Sequence, residues 1–328
     1  MSKILILGGA GMIGQKLANR IATGSIDVDV SELVLYDIVE ANQPDASFAT
    51  HSTSGNIADP QESTRLAAMR PDIVYHLAAI VSGDAEKNFD KGWDINARGS
   101  WQLLEALRAE HEASGGSYRP RVVFASSIAV FGGPYPDKID DNFLCAPQTS
   151  YGAQKAMTEL LVADYSRKGF LDGFSMRLPT ICVRPGKPNL AASSFFSGII
   201  REPLNGQEAV LPVSDQTRHW HASPRAAARF FTHAATLDTS ALKGRYSLNL
   251  PGVSCTVEEQ IEALREIAGN DVVALIKAEP DATIDKIVKG WPCDFDPQRA
   301  IALGFEGESD FSEIIKIYMA DDLASLHL

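Results

Sequence analysis

The run Gly8-Gly9-Ala10-Gly11-Met12-Ile13-Gly14 limits what this chain can fold into more than any other feature. It follows Lys3–Leu7 (KILIL), a run of β-formers with no polar break. Such a run suits a strand buried on both faces. A helical apolar pattern from Ile13 to Ile21 follows the glycines. Strand, Gly-rich turn and helix in that order make an anion-binding unit. Glycines accept backbone angles closed to other residues, and no Cβ obstructs a pyrophosphate. The helix N-terminus offers N–H groups and the positive end of its dipole. The spacing reads as G-x-G-x-x-G from Gly9 or as G-x-x-G-x-x-G from Gly8, and Gly14 lets the helix lie close to the strand. Gly8, Gly11, Met12, Ile13 and Gly14 are therefore the expected cradle of a dinucleotide.

The alternation continues along the chain. Leu33–Tyr36 (LVLY) reads as a second strand, followed by Asp72–Leu77, Arg121–Ala125 and Phe174–Val183. Trp93–Leu107 and Tyr151–Tyr165 have helical spacing. Strands alternating with helices imply a parallel sheet with right-handed crossovers. The expected fold class is α/β, a Rossmann-type doubly wound parallel sheet with a smaller C-terminal substrate-binding lobe. Prolines and glycines crowd Arg184–Pro188 and Pro203–Pro212, where the regular pattern stops. Strand-like segments remain at Tyr246–Leu250 and Val272–Ile276, and helical ones at Val257–Ala268 and Phe311–Leu326. Residues 1–178 with about 219–248 are expected to form the cofactor domain, and 179–218 with 249–328 the lobe. Ala41–Gly55 is polar and helix-poor and reads as a surface loop.

Asp37 ends the second strand. A carboxylate there accepts hydrogen bonds from an adenosine ribose and repels a 2′-phosphate. Ile38-Val39-Glu40 follow it with no Arg or Lys, so the expected cofactor is NAD rather than NADP. Asn56-Ile57-Ala58-Asp59 closes a strand-like segment, which sets Asn56, Ile57 and Asp59 near an adenine edge. His76-Leu77-Ala78-Ala79 ends the fourth strand in small residues, as a strand passing under a cofactor requires; Leu77, Ala78 and Ala79 join the cofactor set. Asn96 and Pro179 complete it. The alternative for each is an ordinary loop or packing residue.

Tyr151-Gly-Ala-Gln-Lys155 puts a phenol and an ammonium four residues apart, on one face of a helix. An unperturbed tyrosine titrates near 10, too high for a base near neutrality. A nearby ammonium favours the phenolate. That tuning serves a general acid/base that oxidises a carbinol or reduces a carbonyl. Ser126 and Ser127 end the preceding strand, at the carboxyl edge where open α/β sheets bind ligands. A serine hydroxyl there can hold the reacting oxygen beside the tyrosine.

Length and charge bound the partners. The 328 residues suffice for a full core, and 42 acidic against 30 basic residues give a net charge of −12. That average field repels a phosphate backbone, so nucleic acid is not an expected partner. Cys145, Cys182, Cys255 and Cys293 lack zinc or disulfide spacing, which fits a reducing compartment. No apolar stretch is long enough for a membrane span. The expectation is a cytoplasmic protein that binds no membrane.

GGAGMIG, Asp37, SSIAVFG (Ser126–Gly132) and YGAQK together resemble the extended short-chain dehydrogenase/reductase family, which includes nucleotide-sugar epimerases and dehydratases. The resemblance covers nearly the whole chain, with FDPQRAIALGF (Phe295–Phe305) similar to the family's late segment. It implies Ser127, Tyr151 and Lys155 as catalytic residues, with Tyr151 and Lys155 also touching the cofactor. Ser126 matches the serine before the catalytic one. It also implies a homodimer through the helices around 93–107 and 151–165. Where sugar-nucleotide members commonly read R-x-x-N, this chain has Arg177-Leu178-Pro179-Thr180. Arg218-His219-Trp220-His221 resembles a stretch whose arginine binds the substrate diphosphate, but the acidic and smaller aromatic positions are changed. Such an arginine can equally clamp a carboxylate.

The segment from Arg177 to Pro212 resembles a group within the family that oxidises D-erythronate, a four-carbon sugar acid, at C2 with NAD. The implied substrate is a small anionic sugar held by Ser126, Ser127, Tyr151, Thr180, Ser193, Ser194 and Arg218, with Arg184 as an addition. The alternatives are a helix cap for Ser193 and Ser194 and a surface ion pair for Arg218. A UDP-sugar 4-epimerase or dehydratase with tightly bound NAD is the other enzyme reading. A dinucleotide sensor without catalysis is a third. His219 and His221 lack a third ligand at motif spacing, so no metal is expected.

Overall fold

The computed structural model describes residues 1–186 and 192–323. The chain divides into two compact units. The first is Met1–Val130, Pro147–Arg177 and Ala228–Asn249. The second holds the described residues of Phe131–Ala146, Leu178–Ala227 and Leu250–Leu328.

Seven strands form the sheet of the first unit: β1 (Ser2–Leu7), β2 (Val30–Asp37), β3 (Ala49–Ser54), β4 (Ile73–His76), β5 (Arg121–Ser127), β6 (Asp172–Leu178) and β7 (Ser247–Asn249). Their order is β7-β6-β5-β4-β1-β2-β3, and every registered pair is parallel. Leu5 lies opposite Val34 on one side and Val74 on the other. The order reverses between β1 and β4, and open α/β sheets bind ligands at the carboxyl end of such a switch point.

Four helices matter for the site: α1 (Met12–Ala22), α2 (Pro60–Ala68), α3 (Ser100–Ala113) and α4 (Ser150–Arg167). Leu66 of α2, Leu103, Leu104 and Leu107 of α3, and Val162 and Tyr165 of α4 pack in one cluster with Leu5, Val34, Val74, Val122 and Phe124 of the sheet. Burying each of those larger side chains contributes about 1.5–3 kcal/mol before entropy is counted.

Several expected elements differ. Ala49–Ser54, read as loop, is the edge strand β3. None of its six side chains is fully buried, so no apolar pattern marks it, while its threonines still suit a pleated edge. The helix expected over 93–107 is π-helical at Trp93–Gly99 and α-helical only from Ser100. The strand expected over 174–183 breaks at Pro179, leaving β6 and a two-residue strand Thr180–Ile181. The segment expected as strand at 272–276 takes in the end of a short helix, Asn270–Val273, then a two-residue turn, and reaches a strand only at Ile276–Ala278.

Residues 131–146 and 219–227, expected with the cofactor domain, belong to the second unit. Strand pairing explains this. Ile139–Asp140 pairs with Phe295–Asp296. Arg218–Ala222 lies between Val253–Thr256 and Thr180–Ile181 in a three-stranded sheet. That unit has its own core, with Phe196, Ile199, Val257, Leu264, Ile314 and Ile315 fully buried. Among the described residues no helix is long and apolar enough to cross a membrane.

Candidate active site

The Gly-rich turn closes on itself and on two strands. Gly8 and Gly9 donate to Tyr36 O at 2.8 and 3.0 Å, and Gly11 donates to Gly8 O at 3.1 Å. Gly8 has φ +86°, and a Cβ there would lie 2.8 Å from Ala78 N. The turn after β1 thus touches Leu77–Ala78 after β4, backbone to backbone. A Cβ on Gly14 would lie 2.1 Å from Gly8 O. The glycines keep α1 against the turn, and no side chain caps its first N–H groups. Asp37 closes the rim. Its Oδ2 accepts from Ala10 N at 3.0 Å and its Oδ1 from Ile38 N at 2.7 Å. Gln15, one turn into α1, donates to Gly9 O at 2.6 Å.

Other expected cofactor residues have other partners. Asn56 Oδ1 accepts from Ala58 N at 3.1 Å, Ile57 is buried in the core, and Asp59 caps α2 by accepting from Gln61 N at 2.9 Å. Asn96 departs from the expectation most clearly. Its buried amide accepts from Ile80 N at 2.9 Å and donates to Ile80 O at 3.2 Å and to Gln154 Oε1 at 2.8 Å. It props the backbone just past Ala79 and links it to α4. Pro179 falls in the second unit.

Ser127, Tyr151 and Lys155 come together in the first unit. Thr149 caps α4 by accepting from Gly152 N at 3.1 Å. A Cβ on Gly152 would lie 2.1 Å from Ala129 O, so this glycine presses the first turn of α4 against the turn after Ser127. Ser127 Oγ accepts from Ala129 N at 3.2 Å. Lys155 is 3% exposed and donates to Ala125 O at 2.8 Å. Its ammonium lies 4.6 Å from the Phe124 ring centre and 5.5 Å from that of Tyr151. Burial pulls Lys155 down to about 7, against the opposing charge of Glu159. His76 Nε2 pairs with Ser100 Oγ at 2.8 Å, and burial, then Lys155, pulls that imidazole down to about 3.

Ser126, expected as a substrate contact, has its hydroxyl engaged within the protein. It is 2% exposed and donates to Glu159 Oε1. Successive strand residues point to opposite faces, so one serine of the pair must turn inward. Glu159 and Arg177 form a buried pair at 2.7 Å. Sequence reasoning missed Gly152, Glu159 and Arg177. Glycine directly after the tyrosine and a glutamate four residues after the lysine were the available signals.

The remaining candidates lie in the second unit. Thr180 Oγ1 pairs with His219 Nε2 at 2.6 Å. His219 stacks on Phe196 at 5.0 Å with planes 2° apart, and burial draws it down to about 3. His221 is likewise buried and shares a hydrogen bond with Gln260 Nε2 at 3.0 Å. Ser193 precedes the helix Ser194–Leu204 without capping it, and instead accepts from Arg184 Nη2 at 3.2 Å. Arg184 Nε donates to Ile181 O at 2.9 Å. Arg218 is exposed, pairs with Glu259 at 3.3 Å and donates to Ser254 O at 3.0 Å. Among the described residues no group of His, Cys, Asp and Glu could hold a metal ion.

Strand order, a Gly-rich turn into an uncapped helix at the switch point, and Asp37 at its rim define a dinucleotide-binding α/β enzyme. The chain belongs to the NAD dependent epimerase/dehydratase family, whose model matches residues 4–243. It is 41% identical over 321 residues to the D-erythronate dehydrogenase of Haemophilus influenzae, covering 98% of this chain and 100% of that one. It is 44% identical over 324 residues to the D-erythronate dehydrogenase of Cupriavidus necator, covering 97% and 98%. A solved structure described as the nucleoside-diphosphate-sugar epimerase from Agrobacterium tumefaciens superposes with TM-score 0.95 at 51% identity, covering 98% and 95%. The cofactor is NAD, and the residues present fit it: Gly8 and Gly14 allow the close backbone approach of turn, strand and helix, the first N–H groups of α1 carry no side-chain cap, and Asp37 closes the rim.

Proposed function

We propose that this protein oxidises a small sugar acid, D-erythronate, at its C2 hydroxyl to the 2-oxo acid. The observation that carries the chemistry is the buried Lys155 ammonium 5.5 Å from the Tyr151 ring. Likeness to two D-erythronate dehydrogenases along nearly the whole chain supports the substrate. Gly8, Gly11, Met12, Ile13, Gly14, Asp37 and Lys155 would hold NAD, which supplies the hydride acceptor. Ser127 holds the reacting oxygen. Tyr151 takes the hydroxyl proton. Lys155 favours the phenolate by its charge, which is present below its titration near 7 and lost above it.

The second reading, a UDP-sugar 4-epimerase or dehydratase, is favoured by the description of the Agrobacterium structure. Against it stands Thr180, engaged by His219, where sugar-nucleotide members carry asparagine. The two separate on one assay. D-erythronate with NAD should give NADH, whereas UDP-galactose should interconvert without net NADH. No turnover of D-erythronate overturns the first reading.

A carboxylate substrate needs a cation, and the sequence candidates for it are Arg218 and Arg184. Arg218 already faces Glu259 in solvent. The Arg184 guanidinium is oriented by Ser193 and Ile181, and a pre-set planar fork loses less entropy on binding a carboxylate. Arg184→Met is expected to raise KM for D-erythronate by about tenfold or more, the scale of a charge-assisted hydrogen bond. Arg218→Met should change it by less than about threefold, as an exposed pair implies. The reverse ranking in steady-state kinetics would return the role to Arg218.

Trp101 and Leu160, which stand 46% and 72% exposed on α3 and α4, support a homodimer through those helices. Light scattering that reads a single chain's mass would overturn it. A cytoplasmic location accords with Cys182, Cys255 and Cys293 standing as thiols, and cell fractionation tests it.

A further inference from the structure

The end of β5 grips α4 through consecutive residues. The Phe124 ring faces the Lys155 ammonium, Ala125 O accepts from it, Ser126 donates to Glu159, and Ser127 follows. Glu159 comes four residues after Lys155, so the two side chains share one helix face. Its carboxylate is 3% exposed and is held by Arg177 Nη2 at 2.7 Å and by Nε at 3.0 and 3.1 Å. Arg177 Nη1 also reaches Asn249 Oδ1 of β7 at 3.2 Å. A buried ion pair is weak evidence for stability, because desolvating two charges offsets most of their attraction. An apolar pair would pack α4 on β6 equally well. The charge on Glu159 calls for another reason, and Lys155 provides it.

We propose that Glu159 is a positioning residue for the Ser127–Tyr151–Lys155 chemistry. Clamped by Arg177, it holds Lys155 as an ammonium inside an apolar site. Through Ser126 it ties the strand end that carries Ser127 to the helix that carries Tyr151. This rests on the catalytic reading above.

The groups facing Lys155 are few. From α4 come Glu159 and Tyr151; from β4 comes His76, kept neutral by burial. The residues of β5 beside it, Phe124, Ala125 and Ser126, do not titrate. Desolvation opposes the ammonium, and Glu159 is the carboxylate that supports it. Glu159→Gln removes that support and takes a carboxylate away from Arg177. Both changes make Lys155 lose its proton at lower pH.

The test is the pH profile of kcat/KM for D-erythronate oxidation, run beside a substrate-free titration of NADH fluorescence over the same pH range. Glu159→Gln should move the alkaline limb of both down by about one unit, the scale of one nearby opposite charge. Glu159→Asp keeps the charge and should recover at least half of that shift. Ser126→Ala should lower kcat by about tenfold without moving the limb, as a slightly misplaced group does. A Glu159→Gln profile with the wild-type shape would overturn the charge role. A Ser126→Ala enzyme with wild-type kcat would overturn the tie, whether or not Glu159→Gln folds. Tyr151→Phe is the control. Activity retained there means that the catalytic reading has failed; an inactive Tyr151→Phe with an unshifted Glu159→Gln profile means that this inference alone has failed.

Discussion

Replacing Tyr151 with phenylalanine is expected to cut turnover roughly 100-fold or more while leaving NAD affinity nearly unchanged. The substitution deletes one oxygen, the group assigned to take the C2 hydroxyl proton. It keeps the ring that the Lys155 ammonium approaches at 5.5 Å. Lys155 also keeps Ala125 O at 2.8 Å, so its position does not depend on the phenol. A 100-fold loss corresponds to about 2.7 kcal/mol of transition-state stabilisation. That loss belongs in kcat, since the proton moves only in the chemical step. The dinucleotide turn lies after β1 and contacts β2 and the exit of β4, and its backbone bonds run to Tyr36 O and Gly8 O. Single-turnover NADH formation, with NADH binding followed by fluorescence, measures both quantities. Turnover within about tenfold of wild type would remove Tyr151 from the proton-transfer role.

The cofactor half of the site was legible because its chemistry needs special backbone. Glycines at fixed spacing between a strand and a helix leave few alternatives, and Gly8 and Gly14 lie against backbone as that spacing requires. Tyr151 and Lys155 were legible for a similar reason, since helical periodicity alone puts them on one face. The serine pair was harder. Two adjacent hydroxyls look alike in sequence, but strand alternation sends Ser126 inward to Glu159. For Asn96 the sequence showed only a polar residue beside a cofactor segment, and its amide bonds to Ile80 and Gln154 come from long-range packing. Arg218 and Arg184 show the limit of the approach. Arg218 stands in solvent beside Glu259; Arg184 is oriented by Ser193, nine residues away. The residue pattern does not show that difference, because the folded contacts of each arginine set it. The edge strand β3 was missed for the opposite reason: with no fully buried side chain it has no apolar period to read.

Gly14→Ala should weaken NAD binding by about tenfold or more and lower the melting temperature together, because both depend on one close approach. The added Cβ would meet Gly8 O at 2.1 Å and Gly9 Cα at 3.0 Å, both of them backbone. Backbone cannot swing aside as a flexible side chain can, so either α1 retreats from the sheet or the turn opens. Overpacking of this kind costs about 1–3 kcal/mol, or several degrees in melting temperature for a domain of this size. A retreat of α1 also moves its first N–H groups away from the pyrophosphate, so affinity falls by more than the loss of a single contact. Gly198→Ala is the matched control. It too lies inside a helix, but the nearest atom to its Cβ is Glu202 Oε2 at 3.5 Å, the end of a side chain. Alanine favours a helix over glycine by about 1 kcal/mol, so that variant should be neutral or slightly stabilised with NAD binding intact. If Gly14→Ala bound NAD as tightly as Gly198→Ala does, the close seat of α1 on the turn would not be what holds the cofactor, and Asp37 with the exit of β4 would have to carry the affinity instead.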